Sequence, residues 1–306
     1  MMKVLALMIS LILSGLLVGC VVVPEEAPEP AIEVTDQLGR VVRLETIPQR
    51  IVSLAPSNTE ILYALGLADR LVAVTDFCNY PPEAREKPSI GGFSTPNIEE
   101  IVALSPDLIL ATSIHEKRVI PQLESKGLVV FALAPKTIDE VLEAITLTGK
   151  ITGTERNAST LVADMRQRIA AVTDRVSSLS HEKKPGAFYV VWHEPLMIAG
   201  LGTLQDDLIG KAGGVNMGGG TTGYAEISLE AVIAANPDVM IIGVGMGSGQ
   251  NATSQFVETE TRLRDIAARI NNRIYAIDSD LTSRAGPRIV NALEQFAIFL
   301  NPELLE

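Results

Sequence analysis

Cysteine, histidine and tryptophan are all scarce in this chain. Of its 306 residues, two are Cys, three are His and one is Trp. Two Cys cannot form a disulfide framework, and three scattered His argue against a zinc site with several protein ligands. We therefore expect no bound metal, and a fold that depends on an ordinary hydrophobic core.

The common catalytic signatures are also missing. There is no His-Glu-x-x-His motif, no Gly-x-Ser-x-Gly motif and no P-loop, and the glycines of segment 243–250 lack the spacing that cradles phosphate. His193 with Glu194, or a pair of carboxylates, would be the remaining candidates for catalysis. The sequence favours a binding protein without catalytic residues or a cofactor of its own.

Positive charge is in short supply. Lys and Arg number 25 against 37 Asp and Glu, a formal net charge of −12. Nucleic-acid binding needs clustered Lys and Arg to neutralise phosphates, so nucleic acid is not expected as a partner. Hydrophobic residues make up 47% of the chain. At this length, that is enough for one large or two medium domains with substantial cores.

A single long apolar run, residues 4–18, follows Lys3. It is short for a membrane span and typical of a signal-peptide core. The Leu-Val-Gly-Cys sequence at 17–20 resembles the bacterial lipobox, in which the Cys is diacylated and becomes the mature N-terminus. We predict a lipoprotein signal peptide over 1–20 and an extracytoplasmic protein anchored to the membrane through lipid on Cys20. The alternative is an ordinary signal peptide or an uncleaved anchor.

Residues 21–33 are rich in Pro and Glu and cannot build a core, which predicts a disordered tether. From 34 to 153, short apolar strands alternate with amphipathic helices, the pattern of a parallel α/β lobe. A Ser-x-x-Glu pattern from Ser57 to Glu60 predicts a capping box at the start of one helix. If Cys20 carries lipid, Cys78 is the one remaining thiol, and we assign it no chemistry.

Residues 154–179 place apolar side chains at steps of three and four, which predicts one long amphipathic helix. We assign residues 154–182 to this helix and the short segment that follows it. Residues 183–306 are assigned to a second α/β lobe. The plain alternative is an ordinary surface helix of a single domain. The other interpretation, a rigid strut between two similar lobes, is supported by an internal repeat.

The repeat relates residues 97–112 to residues 228–243. In each copy a short helix leads to a turn, a Pro-Asp pair and an apolar strand. The two copies lie 131 residues apart and match Glu99 with Glu230. Because the helix lies between the copies, the predicted order is lobe, strut, lobe, with a cleft between the lobes.

Several side chains lie in loops that follow predicted strands, where ligands of parallel sheets bind. Phe77 and Phe93 occupy such loops in the first lobe, although each could instead be a core Phe under a loop. In the second lobe, Tyr224 lies in a glycine-rich loop. Asp280 and Arg284 follow the last strand, where they could pair with each other or offer an acceptor and a donor to a ligand.

Taken together, these segments resemble the cobalamin-binding members of the helical-backbone periplasmic binding proteins, over nearly all of residues 34–300. The resemblance implies two Rossmann-like lobes on one rigid helix, and a monomer that passes a corrinoid to an ABC permease and its ATPase. The motifs that carry it are Arg-Ile-Val-Ser-Leu-Ala-Pro-Ser-Asn-Thr-Glu-Ile (50–61), Asn-Tyr-Pro-Pro (79–82), Asn-Ile-Glu-Glu-Ile (97–101), Ser-Pro-Asp (105–107), Ser-Asp (279–280) and Arg-Ala-Gly-Pro-Arg (284–288).

The resemblance also assigns roles to single residues. The corrinoid is the transported ligand, and Trp192 lies near the site but not squarely on one of the family's aromatic positions. Glu99 and Glu230 match the two glutamates that dock the lobes on the permease; the alternative is two solvated glutamates favoured by helix dipoles. Heme or a ferric siderophore is the alternative ligand. The positions that match the family's ligand site are Phe77, Phe93, Tyr224, Asp280 and Arg284.

Overall fold

The computed structural model describes residues 32–245 and 252–304. The predicted signal peptide, Cys20 and most of the predicted tether lie outside the described residues, as does most of the glycine-rich segment 243–250. Among the helices that are described, none combines the length and the hydropathy needed to cross a bilayer.

The strands and helices alternate through most of the chain. The strands are β1 Ile32–Thr35, β2 Val41–Leu44, β3 Ile51–Ser53, β4 Leu71–Ala73, β5 Leu108–Thr112, β6 Val130–Leu133, β7 Gly186–His193, β8 Leu196–Ala199, β9 Val215–Asn216, β10 Tyr224–Glu226, β11 Val239–Val244 and β12 Ile274–Asp278. The helices are α1 Pro56–Ala64, α2 Ile98–Ala103, α3 Val119–Glu124, α4 Ile138–Thr152, α5 Glu155–Val176, α6 Leu204–Lys211, α7 Leu229–Ala235, α8 Ala252–Thr259, α9 Ala267–Ile270, α10 Ser279–Ser283 and α11 Ile289–Leu300.

The first lobe is built on a parallel sheet of strand order β4-β3-β5-β6. Strands β3 and β6 are buried along their whole length, as expected where helices cover both faces. The antiparallel hairpin β1–β2 covers the edge strand β6. Its turn residue Asp36 accepts a hydrogen bond from the backbone N–H of Ala132. The hairpin begins at Ile32, so residues 32 and 33 pair with β2 and are not part of a disordered tether.

The second lobe has the strand order β10-β8-β7-β11-β12, with β9 paired to β7. Strands β7, β11 and β12 are parallel, whereas β8 and β10 run antiparallel to their neighbours. Residues 258–270 do not form one continuous helix. Helix α8 ends at Thr259, and the Glu260 carboxylate accepts a hydrogen bond from the Arg262 N–H, which starts a separate 3₁₀ turn.

Helix α5 joins the lobes and spans about 33 Å at 1.5 Å per residue. Its buried face consists of Ala158, Met165, Ile169, Val172 and Val176, and it packs against α4 and α11. The helix ends at Val176, short of the predicted Leu179, because the exposed serines 177 and 178 do not continue the buried stripe. The predicted fold, two α/β lobes joined by one long helix, is otherwise what the structure shows.

One hydrophobic cluster runs through both lobes. It includes Ile145 of α4, Met165 of α5, Leu208 of α6 and Phe296 of α11. The outer face of each sheet has a separate cluster of its own. Because protein interiors are closely packed, a shared core of this kind resists large rotations of one lobe against the other.

The internal repeat produces the same turn in both lobes. Ser105 and Asn236, which match in the repeat, both have a φ of +47°. Asp107 accepts backbone hydrogen bonds from Gln49 and Arg50 at the start of β3, and Asp238 accepts one from Gly186 at the start of β7. The Asp of each Pro-Asp pair therefore anchors β3 or β7, which gives the repeat a structural role.

Candidate functional site

The loops that follow β4 and precede α2 lie side by side at the carboxyl edge of the first sheet. The Asp76 N–H donates to the Gly91 carbonyl at 3.0 Å, and the Ser89 hydroxyl bonds the Asp76 carboxylate. The Phe77 side chain is 58% exposed, so it is not a core residue beneath its loop. Phe93, on the neighbouring loop, is half-buried. The first lobe thus presents an aromatic wall at this edge.

Phe93 is held by His115, a residue that sequence analysis did not single out. The imidazole Nε2 lies 2.7 Å from the Phe93 carbonyl oxygen, and the two rings meet edge-on at 5.4 Å. The Thr112 N–H donates to Nδ1 at 3.0 Å, so Nδ1 is unprotonated and Nε2 carries the proton. Burial lowers the pKa of His115, against a smaller opposing effect of the bond to Phe93.

Tyr224 lies on β10 beside Ala199 of β8, with its side chain 52% exposed. Its hydroxyl donates to the Gln205 side chain at 3.0 Å, and the Gln205 amide donates to the Thr282 carbonyl at 3.2 Å. Burial of the hydroxyl raises the pKa of Tyr224. One end of the phenol is therefore fixed, and the ring face is left accessible.

Trp192 pairs with Met197 across β7 and β8, which places it on the same sheet face as Tyr224. Its indole N–H donates to the Glu194 carbonyl at 2.9 Å, and its ring lies against His193. His193 in turn bonds the Thr253 hydroxyl at 3.0 Å. These contacts are local to the second lobe.

Asp280 and Arg284 form an ion pair at 2.6 Å, the first of the two alternatives that the sequence left open. Arg284 also reaches the first lobe. It donates to the Asn79 side chain at 2.7 Å and to the Phe77 carbonyl at 3.3 Å. The guanidinium therefore ties the end of β12 to the loop that carries Phe77.

Glu60 was predicted to complete a capping box with Ser57, and this is wrong. Ala55 is the N-cap of α1, and Glu60 points instead into the junction between the lobes, where its side chain is 2% exposed. It pairs with Arg288 at 2.6 Å and with Arg284 at 3.2 Å. Its partners lie more than 200 residues along the chain, so a local pattern could not reveal them.

Arg288 completes this group. Its guanidinium lies over the Tyr80 ring, 3.9 Å from the centroid. The second Arg of the 284–288 motif was the sequence feature that could have pointed to this group. Two neighbouring guanidinium groups can share one carboxylate in an ion pair. We call Glu60, Asp280, Arg284 and Arg288 the charged junction.

A second set of contacts joins the lobes through α4 and α6. The Asp207 carboxylate accepts from the Ile138 N–H at 2.7 Å, and Lys211 pairs with Asp139 at 2.8 Å. Burial is the main cause of a raised pKa for Asp207, and the hydrogen bond from Ile138 opposes it. We call these four residues the α4–α6 junction.

Glu99 and Glu230 occupy the same position in two matching helices. Each is the second residue after an N-cap, Asn97 for α2 and Ser228 for α7, and each is exposed. In the ranges that the structure covers, neither forms a salt bridge. Each lobe therefore presents an exposed carboxylate at the matching position of a helix start.

Within the described part of the chain, no three His, Cys, Asp or Glu side chains gather into a group that could hold a metal ion. The one described thiol, Cys78, is buried, and its sulfur lies 3.1 Å from the Thr59 hydroxyl. The residues at the strand ends present aromatic surface, hydrogen-bonding groups and paired charges. That set is suited to binding an organic ligand.

The family model described as "Periplasmic binding protein" matches residues 51–281. An uncharacterized ABC transporter substrate-binding lipoprotein of Bacillus subtilis is 29% identical over 280 residues, covering 89% of this chain and 86% of its own length.

Two solved structures are also similar. The periplasmic vitamin B12-binding protein of Vibrio cholerae has a TM-score of 0.73 at 28% identity, covering 84% of this chain and 98% of its own. A periplasmic heme-binding protein of Pseudomonas aeruginosa has a TM-score of 0.74 at 27% identity, covering 84% and 94%. With a family model that matches most of its length, the chain belongs to the periplasmic binding proteins, which bind solutes for transport and are not enzymes.

Proposed function

We propose that this protein captures cobalamin or a related corrinoid outside the cytoplasm and delivers it to an ABC importer. The observation that carries this proposal is the pair of exposed aromatic residues, Phe77 in the loop that follows β4 and Tyr224 at the start of β10. The similar vitamin B12-binding protein of Vibrio cholerae supports the choice of ligand.

A corrinoid suits the chemistry of these aromatic side chains and their surroundings. It offers a broad apolar ring surface to aromatic side chains and many neutral amides to hydrogen-bonding groups. The four side chains of the charged junction pair with one another, so the junction offers no surplus charge to a ligand. A bulky and largely uncharged guest fits such a cleft better than an anion does.

Heme is the second candidate, because the heme-binding protein of Pseudomonas aeruginosa is as similar in structure as the B12-binding protein is. An iron ligand would have to come from a side chain such as Tyr224 or His193. The Tyr224 hydroxyl is already bonded to Gln205, and His193 uses Nδ1 on Thr253. The Tyr224 contact disfavours that hydroxyl as an iron ligand, and His193 could offer only Nε2. A corrinoid needs no such ligand from these residues, and a ferric siderophore would need more free cationic groups than the junction offers.

Calorimetric titration tests the ligand assignment. The mature chain should bind cyanocobalamin, and Phe77→Ala or Tyr224→Ala should each weaken binding about tenfold or more through loss of aromatic contact. Ile270→Ala is the matched control, since Ile270 is exposed on α9, which leads into the opposite end of β12. Unchanged affinity in both aromatic variants would refute the proposed site.

The proposal includes a lipid anchor on Cys20, supported by the lipobox resemblance and by the name of the Bacillus subtilis relative as a lipoprotein. Metabolic labelling with a fatty acid tests it. Wild-type protein should incorporate label and partition with membranes, and Cys20→Ser should do neither. Label retained in Cys20→Ser would exclude this anchor.

We also propose that Glu99 and Glu230 dock the two lobes on the permease. Their exposure and their matched places in the repeat support this role. Exposed ion pairs are worth only about 0.2–1 kcal/mol each, so they orient docking more than they hold it. The double variant Glu99→Arg with Glu230→Arg should stop corrinoid uptake and keep calorimetric binding. Glu116→Arg with Glu258→Arg, also exposed glutamates, should leave uptake intact.

A further inference from the structure

The charged junction lies against the proposed ligand cleft. Arg284 donates to the carbonyl of Phe77, one of the two exposed aromatic residues, and Asp280 lies in α10, which follows the carboxyl end of β12. The Asp280 side chain is still 34% exposed, whereas those of Glu60, Arg284 and Arg288 are largely buried. The junction therefore contributes directly to the electrostatic potential of the cleft wall.

Its charges cancel, and Glu60 provides half of the negative charge. Two guanidinium groups face two carboxylates, with ion pairs at 2.6, 2.6 and 3.2 Å. Glu60 alone touches both arginines. Because the group is buried, solvent and salt screen it weakly, and removal of one charge there is felt over several ångströms.

Without the Glu60 carboxylate, the charged junction itself would carry one net positive charge. Buried or half-buried arginines beside an apolar surface are a suitable site for a carboxylate-bearing ring system, because guanidinium groups bind carboxylates strongly. Discrimination between a neutral and an anionic tetrapyrrole would then depend on Glu60, which need not touch either ligand.

We propose that Glu60 is a specificity-determining residue, which cancels the charge of Arg284 and Arg288 so that the cleft accepts an amide-bearing corrinoid and rejects analogues with free carboxylates. This inference rests on the proposed function. Glu60 acts through the arginines and positions them, and Asp280 supports it from the second lobe.

The test compares cyanocobalamin with its monocarboxylates, in which one side-chain amide is hydrolysed and one negative charge is gained. Glu60→Gln keeps the shape and one acceptor oxygen but removes the charge. We expect the ratio of amide to monocarboxylate affinity to fall at least about fivefold in Glu60→Gln. Affinity for hemin, which carries two carboxylates, should rise in parallel.

Asp139→Asn is the matched control, because it removes one carboxylate from the α4–α6 junction and changes net charge equally. Its affinity ratio should equal that of wild type. If Glu60→Gln does not fold, Asp280→Asn should lower the ratio in the same direction. An unchanged ratio in a folded variant that still binds cyanocobalamin overturns this inference alone. Failure of the wild-type protein to bind any corrinoid overturns the proposed function as well.

Discussion

The two junctions between the lobes both pair carboxylates with donors, but they differ in how far their charges are buried. In the charged junction, Glu60 is 2% exposed and its two arginine partners are largely enclosed. In the α4–α6 junction, the Asp139 side chain is 73% exposed. Buried charges are costly to leave unpaired, and exposed pairs contribute little. This contrast fits our proposal that the first junction sets the charge of the ligand cleft, whereas the second mainly aligns two helices.

The largest expected effect comes from breaking the charged junction. Glu60→Ala leaves Arg284 and Arg288 without their shared carboxylate, which should lower the free energy of unfolding by about 3–5 kcal/mol. Urea denaturation followed by circular dichroism measures it. A loss below about 1 kcal/mol would show that the junction is open to solvent and would remove the contrast between the two junctions.

A smaller effect is expected from the titration of Asp207 in the α4–α6 junction. Burial raises its pKa in the folded protein, so the native state binds this proton more readily than the unfolded chain does. The stability that this proton confers is complete below the unfolded pKa of about 3.9 and is lost as pH rises through the folded value.

Asp207→Asn isolates that effect, since Asn keeps an acceptor for the Ile138 N–H but does not titrate. The stability of wild type minus that of Asp207→Asn should fall as pH rises from about 4 towards neutrality. Urea denaturation at a series of pH values gives this difference. The effects of the other titratable groups cancel, because both proteins contain them. A difference that is constant or rises with pH would contradict the burial of this carboxylate.

The smallest effect is expected for the pair of Lys211 and Asp139, in which the carboxylate is largely exposed. Asp139→Asn should change the free energy of unfolding by less than about 1 kcal/mol, and the change should shrink as salt is added. Thermal denaturation at low and high salt checks both statements. A loss as large as that of Glu60→Ala would mean that the two junctions are energetically equivalent.

Much of this fold could be predicted from the sequence because its signals are local. The spacing of apolar residues revealed α5, and the repeat revealed the matching turns at Pro106 and Pro237. The exposure of Phe77 agrees with its place in a loop after a strand. Patterns of this kind involve residues that are close together in the sequence, so they can be recognised without a structure.

The Asp280–Arg284 pair was one of the alternatives that the sequence left open, but the pairs made by Glu60 could not be predicted, since they join residues more than 200 positions apart. The Ser-x-x-Glu pattern at Glu60 satisfied a local rule, but tertiary pairing with Arg288 overrode it. Helix α8 ends at Thr259 for a local reason, because the Glu260 carboxylate accepts hydrogen bonds from Arg262 in the turn that follows. His115 was missed because its partner, the Phe93 carbonyl, belongs to another loop.

A direct competition on the mature wild-type protein tests the central claim best. Equilibrium dialysis against cyanocobalamin with hemin as competitor should show one corrinoid bound per chain, with hemin unable to displace it at equal concentration. Retention of hemin alone, with no cyanocobalamin bound at about 100 μM, would contradict the account.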